Sequence, residues 1–555
     1  MRREVILSGA LLAGTLVSAQ AMAAKTAKLP APGGPKPNFV VILIDDSGFS
    51  DFSCYGGSIP TPNIDALAQK GVRMSQMYNC ARSCPTRASL LTGLYPQQAG
   101  MGFMTSGPPR KDKAQKLPAY QGYLNNNCVT FAEVLRTAGY FTAISGKWHV
   151  GQQAGVTPAT RGFDRSLYAG VGGFYYPGER DDLYMDGQKI SNFDPRLPKE
   201  WYTTDLWTQF GIKFIGQALE SRKPFVLYLA YNAPHYPLQA PPDEIAAFKG
   251  QFDTGWDVLR RQTWQRQTDM NLLGAKYDLT PRNPKIPAWD DVAEAQKAKS
   301  ERLKEIYAAV LTHVDKCIGQ LVADLKAKGV FDNTVIMLMS DNGGNAEGAI
   351  PFGNLDGDNP GGPNSDVKVG QAWAEVSNTP FFLYKHHVHE GGISTPLIVS
   401  YPAGIPANLD GSIVRQPGHV VDIMATLVAL SGAKYPANFN GNEIIPMQGI
   451  NLMPVWLGQT AERTQPIFWE HEDNLAIRDG KWKLVKEKGD DRWQLYDMDA
   501  DRTELHDLSQ QQPQVLADMK AKMDMMFKKV GAEHLDFGVP GWFVPVYDYT
   551  TWKKK

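Results

Sequence analysis

Hydrophobic positions along this chain gather into unbroken apolar runs, and each run ends in polar residues. Asn38-Phe39-Val40-Val41-Ile42-Leu43-Ile44 leads into Asp45-Asp46, Phe225 to Tyr231 into Pro234-His235, and Thr334 to Met339 into Asp341-Asn342. Runs of this kind, without alternation, mark strands buried on both faces of a parallel sheet. Tyr140 to Ser145, ahead of Lys147-Trp148-His149, and Thr395 to Ser400 read as further strands. Helical segments lie between them: Thr61 to Lys70, with Thr61 as N-cap and Pro62 in the first position, Thr130 to Thr137, and Ala295 to Lys328. The alternation predicts an α/β fold with a large, mainly parallel central sheet covered by helices on both faces.

From about Gln465 the pattern changes to short strands at hairpin spacing: Ile467 to Trp469, Ala476 to Arg478, Trp482 to Val485 and Trp493 to Tyr496, with Asp479-Gly480 as a turn. A helix from Gln514 to Lys529 follows, so a small C-terminal antiparallel sheet with one helix is expected. The stretch Phe252 to Lys285 reads as a long insertion, a lid or pocket wall whose Trp256 and Trp264 would stack on a substrate ring.

The N-terminus has Arg2 and Arg3, an apolar run from Val5 to Val17, and Ala21-Met22-Ala23 as a small-residue cleavage site. Residues 1–23 therefore read as a signal peptide, too short to span a bilayer, and the mature protein is expected in the periplasm or secreted. Residues 24–37 form a linker, 38–460 the main domain and 461–555 a C-terminal α+β subdomain. With 57 Lys+Arg against 58 Asp+Glu, net charge gives no reason to expect nucleic acid or stable membrane insertion. Five cysteines allow one bridge, Cys80 to Cys84, and show no zinc pattern.

In an open parallel sheet, ligands bind beyond the carboxyl ends of the strands. Asp45-Asp46, Lys147, His149, His235 and Asp341-Asn342 all fall at such ends and should meet at one edge. Ser83 opens a helix with Pro85 in its first turn, where the helix dipole favours an alkoxide or a sulfate. Arg87, four residues on, shares its face.

The run Ser83-Cys84-Pro85-Thr86-Arg87-Ala88-Ser89-Leu90-Leu91-Thr92-Gly93 resembles the signature of type I, formylglycine-dependent sulfatases of the alkaline phosphatase superfamily, and most of the mature chain is similar to bacterial arylsulfatases. Most members carry Cys at the modified position. The spacing to Pro85 and Arg87 puts Ser83 there and leaves Cys84 as a neighbour, so the resemblance is to the Ser-type. It implies a sulfuric ester hydrolase that releases inorganic sulfate through the hydrate of formylglycine (3-oxoalanine) made from Ser83 and a covalent sulfo-enzyme intermediate. Asp45, Asp46, Ser83, Asp341 and Asn342 would hold Ca²⁺, with Mg²⁺ as the alternative. Asp341 and His149 would take protons from the two hydroxyls, Arg87 would steady the nucleophile, Lys147 and Lys385 would hold sulfate oxygens, and His235 would contact the leaving group. The implied partners are a small-molecule or glycan sulfate ester and a radical iron-sulfur maturating enzyme. Carbohydrate sulfatase, phosphomonoester, phosphodiester or phosphonate hydrolase, and non-catalytic sulfated-glycan binder are the alternatives. His386, His387 and His389 are expected to form an exposed polar loop without a role.

Overall fold

The computed structural model describes residues 35–106, 117–178, 180–274, 277–348 and 351–535. The signal-peptide segment, most of the linker and the last 20 residues of the C-terminal subdomain lie outside the described residues. Among the described residues no helix is long and apolar enough to cross a membrane.

An 11-stranded sheet dominates the molecule. Its centre is parallel: Asn38–Ile44 pairs with Thr334–Ser340 on one side and Phe225–Ala230 on the other, and Phe141–Lys147 and Arg165–Ala169 extend the same direction. Leu183–Met185 reverses that direction toward one edge, antiparallel to Arg165–Ala169, and a second reversal lies on the other side of the centre. Ser394–Ser400 runs antiparallel to both of its neighbours, Val72–Tyr78 and Thr334–Ser340. Its amino end, and with it the loop carrying Lys385, therefore lies at the edge where the parallel strands deliver their carboxyl ends.

The fully buried strand Asn38–Ile44 divides its side chains between two cores. Val40, Ile42 and Ile44 join one, with helices Thr203–Glu220 and Glu294–Ala327; Phe39, Val41 and Leu43 join the other, with helices Ser83–Thr92, Phe131–Thr137 and Asp422–Ser431. This period-2 division is what covering both faces of a sheet requires. Thr130 closes a capping box with Glu133. The expected Thr61 cap does not form, because the Thr61 hydroxyl donates to Asp65 at 3.2 Å while Asp315 accepts the N–H groups of Asn63 and Ile64.

The C-terminal sheet orders Ile467–His471, Asn474–Asp479, Trp482–Lys486 and Gln494–Asp497 as an antiparallel meander, with helix Pro513–Val530 packed against it. All five cysteines are free, so no Cys80–Cys84 bridge forms. The insertion also departs from expectation. Helix Gly255–Asp269 packs Trp256 into an aromatic cluster with Trp289 and Trp373, and Trp264 donates Nε1–H to the Tyr277 carbonyl at 2.8 Å. Apolar area, rather than a pocket, claims these rings.

Candidate active site

The strand ends meet as predicted. Asp45 and Asp46 follow Asn38–Ile44, and Asp341 and Asn342 follow Thr334–Ser340, its direct neighbour. The two termini are tied together: Asp46 N–H donates to Asp341 Oδ1 at 3.1 Å, and Asn342 Nδ2 donates to Asp46 Oδ1 at 2.7 Å. Asp46 holds a positive φ of 69°, a turn that aims consecutive carboxylates into one space.

Ser83 is the first residue of its helix, with Arg82 at the N-cap position, so its hydroxyl is not used as a cap. Instead Ser83 Oγ accepts from Arg87 Nε at 2.9 Å. The same guanidinium donates to the Lys147 carbonyl at 3.1 Å and to Asp341 Oδ2 at 3.0 Å, and lies 3.5 Å from Asp45 Oδ2. Lys147 Nζ meets Asp45 Oδ2 at 2.5 Å, and Lys385 Nζ meets Asp46 Oδ1 at 3.0 Å. His235 Nε2 stands 3.7 Å from Asp46 Oδ2. Trp148 turns into the core and lets Lys147 and His149 face the same cavity.

Three carboxylates, Asp45, Asp46 and Asp341, face three cations, Arg87, Lys147 and Lys385, so net charge alone does not call for a metal. The oxygens do. Asp45 Oδ1 and Asn342 Oδ1 are buried without a hydrogen-bond partner, a cost a protein rarely leaves uncompensated. Hard oxygen donors from Asp45, Asp46, Asp341 and Asn342 fit a Ca²⁺ or Mg²⁺ ion. A divalent ion would also turn a neutral cluster positive, which suits an anionic ester.

The carboxyls differ in their electrostatics. Burial, and next the negative charge of Asp45, push Asp341 up to about 6 against the pull of Arg87. Burial opposes ionisation of Asp46 as well, yet Lys385 and His235 together hold it at about 2. Burial, followed by Lys147 and Arg87, drives His149 well below the usual imidazole range, so it is a neutral ring whose Nδ1 is buried and unpartnered. Burial also takes His235 to about 4 despite Asp46. Its Nδ1 lies 2.6 Å from the Tyr236 carbonyl oxygen and must carry the proton there.

Ser83, Lys147, His149, His235 and Lys385 line a cavity of about 480 Å³ whose wall also includes Arg82, Met104, Gln153, Arg180, Tyr236 and Glu347. Two contributors were missed in the sequence: Asn345, which donates to Asp46 Oδ2 at 2.7 Å, and Glu347, 3.9 Å from Lys385. The polar run Asn342-Gly343-Gly344-Asn345 held the signal for the first.

The histidine loop is not exposed. His386, His387 and His389 are buried: His386 Nε2 lies 3.1 Å from Glu347, and His387 and His389 lie 3.1 Å and 2.7 Å from Glu487. Glu487 directly follows Trp482–Lys486, so the carboxylate that buries the loop comes from the C-terminal sheet. His386 also neighbours His471 and Glu472, but the Arg82 guanidinium already sits between them, 2.6 Å from His386 Nδ1 and 2.8 Å from Glu472 Oε1.

Comparison with known proteins agrees with this geometry. The Sulfatase family model matches residues 37–433, and a model described as N-sulphoglucosamine sulphohydrolase, C-terminal, matches residues 380–529. The chain is 34% identical to an uncharacterized sulfatase of Schizosaccharomyces pombe over 87% of this chain and 92% of that one. It is also 34% identical to an arylsulfatase of Klebsiella aerogenes over 79% of this chain and 96% of that one. Among solved structures, Ps i-CgsB in complex with k-i-k-neocarrahexaose superposes with a TM-score of 0.64 at 26% identity, covering 94% of this chain and 97% of that one. The chain belongs to the sulfatase family, an enzyme family of sulfate ester hydrolysis.

Proposed function

We propose that this sulfatase works at the Ser83 cavity, with Ser83 oxidised to formylglycine and a Ca²⁺ ion, or Mg²⁺, held by Asp45, Asp46, Asp341, Asn342 and residue 83. One observation carries the reading: Ser83 Oγ lies at the positive end of its helix, fixed by Arg87, beside two orphaned oxygens, Asp45 Oδ1 and Asn342 Oδ1. When bound, the ion and the aldehyde hydrate supply a polarised nucleophilic hydroxyl beside a second hydroxyl.

The chain's own residues divide the remaining work. Arg87 orients the oxygen on residue 83. Asp341, whose carboxyl is the more basic of the two shifted ones, accepts the proton of the attacking hydroxyl. Neutral His149, with a free ring nitrogen, accepts the proton of the second hydroxyl. Lys147 and Lys385 hold sulfate oxygens and occupy the room that a second metal would need in a phosphoryl-transfer site. His235 donates to the leaving oxygen only as imidazolium, since its Nδ1 proton is committed to Tyr236; an incoming anion favours that form.

The leaving group is a polar, hydroxylated alcohol, of which sulfated sugars are the leading class. Gln153, Arg180 and Glu347 offer hydrogen-bonding groups, while Tyr236, the aromatic ring of the wall, is already stacked on His235 at 4.4 Å and met by Lys368 Nζ at 4.9 Å. The complex of Ps i-CgsB with k-i-k-neocarrahexaose supports this reading. Aryl sulfates are the second reading, favoured by the Klebsiella relative. We assign the boundary of the catalytic unit near residue 460, export to the periplasm or beyond, and maturation by a radical iron-sulfur enzyme to the same proposal.

Mass spectrometry of the Ser83 peptide, from protein made with and without a radical maturase, tests it. Loss of two hydrogens at Ser83 should appear with the maturase and rise in step with sulfate release. Fully active enzyme with unmodified Ser83 would overturn the reading. Ser83→Ala should abolish turnover, whereas Cys84→Ser should keep it, because Cys84 packs into the core and away from the cavity.

A further inference from the structure

On the face of the sheet opposite the Ser83 helix, three side chains with different donor atoms converge. Asp205 stands in the first turn of Thr203–Glu220, while His313 and Cys317 stand one turn apart on Glu294–Ala327. One ligand atom from each lies within 4.8 Å of the other two. His313 Nε2 is 3.1 Å from Asp205 Oδ2, and the Cys317 thiol is 3.4 Å from Asp205 Oδ1.

The imidazole is prepared for a ligand. His313 is 8% exposed, and its buried Nε2 pairs with Asp205 Oδ2 without a well-directed hydrogen bond. Its Nδ1 lies 3.1 Å from both Glu244 carboxylate oxygens, and Lys316 Nζ holds Glu244 at 2.8 Å. Tyr202 packs edge-on against the ring at 4.8 Å. Against the effect of burial, Asp205, Cys317 and Glu244 raise the ring to about 11, so without a metal it is an imidazolium; a metal would replace the Nε2 proton while Glu244 keeps holding the far nitrogen, as carboxylates do for metal-ligating histidines. Lys316 pairs with Glu244, and its charge also reaches Asp205.

We propose that Asp205, His313 Nε2 and Cys317 Sγ form a second metal site for a borderline divalent transition ion, with Zn²⁺ the ion that this oxygen, nitrogen and sulfur set suits. A hard cation prefers the all-oxygen set beside Ser83, so the two sites select different metals. The Asp205 side chain is 31% exposed, which supplies an entry path and an open fourth position. Binding forms zinc–sulfur and zinc–nitrogen bonds and sends two protons to solvent, one from the Cys317 thiol and one from His313 Nε2, with no change of oxidation state. The ion links two helices that share one core, so its role is to clamp that layer.

The test uses the full-length chain, stripped by chelator, reloaded with Ca²⁺ and titrated with Co²⁺ as a spectroscopic stand-in. One equivalent should produce a thiolate-to-cobalt charge-transfer band, and Zn²⁺ should displace it. Cys317→Ser should abolish the band. Glu244→Gln should keep the band, weaken zinc binding roughly 10- to 100-fold, and leave sulfatase turnover unchanged. Wild-type protein that takes up no zinc, or takes up Co²⁺ without the charge-transfer band, overturns the proposal. The first result would leave His313 as an imidazolium paired with Asp205 and Glu244. The second would place the ion at a site without sulfur.

Discussion

Arg87 Nε donates to Ser83 Oγ across one helical turn, at 2.9 Å, so the helix that presents the nucleophilic position also carries the group that orients it. The other two nitrogens of the same fork reach the Lys147 carbonyl and Asp341. A lysine places its three donors on a single nitrogen and cannot span the separate acceptors that the guanidinium fork reaches. Arg87→Lys should therefore lower kcat at least ~100-fold, the scale of losing an oriented donor in a dry site. Steady-state kinetics on a sulfate ester, with circular dichroism to confirm folding, decides it; a loss of only a few-fold would refute the role.

Metal removal has its own signature. If Asp45 Oδ1 and Asn342 Oδ1 are ligands, chelation should abolish activity, Ca²⁺ should restore it, and Ca²⁺ at ~100 times Kd should stabilise the fold by about 2.7 kcal/mol. Asn342→Leu should remove that stabilisation while leaving Arg87 and Lys147 in place. Thermal melts of both proteins across a Ca²⁺ titration measure the difference, and an unchanged Ca²⁺ response in the variant would exclude Asn342 as a ligand.

A buried charge cluster fastens the C-terminal sheet to the active-site loop. Lys483 Nζ bridges Glu390 at 2.9 Å and Glu504 at 2.7 Å, and Arg502 closes on Glu390 at 2.6 Å, with all four side chains at most 1% exposed. Glu390 lies five residues beyond Lys385 and opens the short helix Glu390–Ile393 that precedes the antiparallel strand. Lys483→Met would take the cation from buried Glu504 and leave Glu390 to Arg502, at a cost of roughly 3–5 kcal/mol in urea denaturation. Replacing Glu504 by Leu in the same protein should recover part of that loss. If Lys483→Met unfolds at the wild-type midpoint, the clip is not structural.

The chain announced the edge of the sheet and concealed the walls of the cavity. Asp45, Asp46, His235, Asp341 and Asn342 were legible because each ends an apolar run, and a parallel sheet collects such ends in one place. Lys385 was legible only through family resemblance, since nothing local says that Ser394–Ser400 reverses direction and brings its amino end to the site. The burial of His386, His387 and His389 depends on Glu347 and Glu487, the latter about a hundred residues distant, a pairing no local pattern carries. Trp256 and Trp264 misled for the opposite reason: the insertion folds onto the main core, where Trp256 packs against Trp289 and Trp373 from other segments, and Trp264 is held by the Tyr277 carbonyl.

The same subdomain holds a carboxyl whose ionisation opposes folding. Burial lifts Glu470 to about 7, and hydrogen bonds from Gln97 and Tyr120 to Oε2, at 2.6 Å and 2.9 Å, offset it only in part. Because its folded value lies above the ordinary 4.5, the stability it contributes is fully present below pH 4.5 and lost as pH rises through about 7. Glu470→Gln fixes the neutral form. The variant should match wild type near pH 4 and exceed it by about 3 kcal/mol above pH 7, with a flatter stability profile between. Urea denaturation across that range reads the difference, and parallel profiles for the two proteins would show that Glu470 titrates normally.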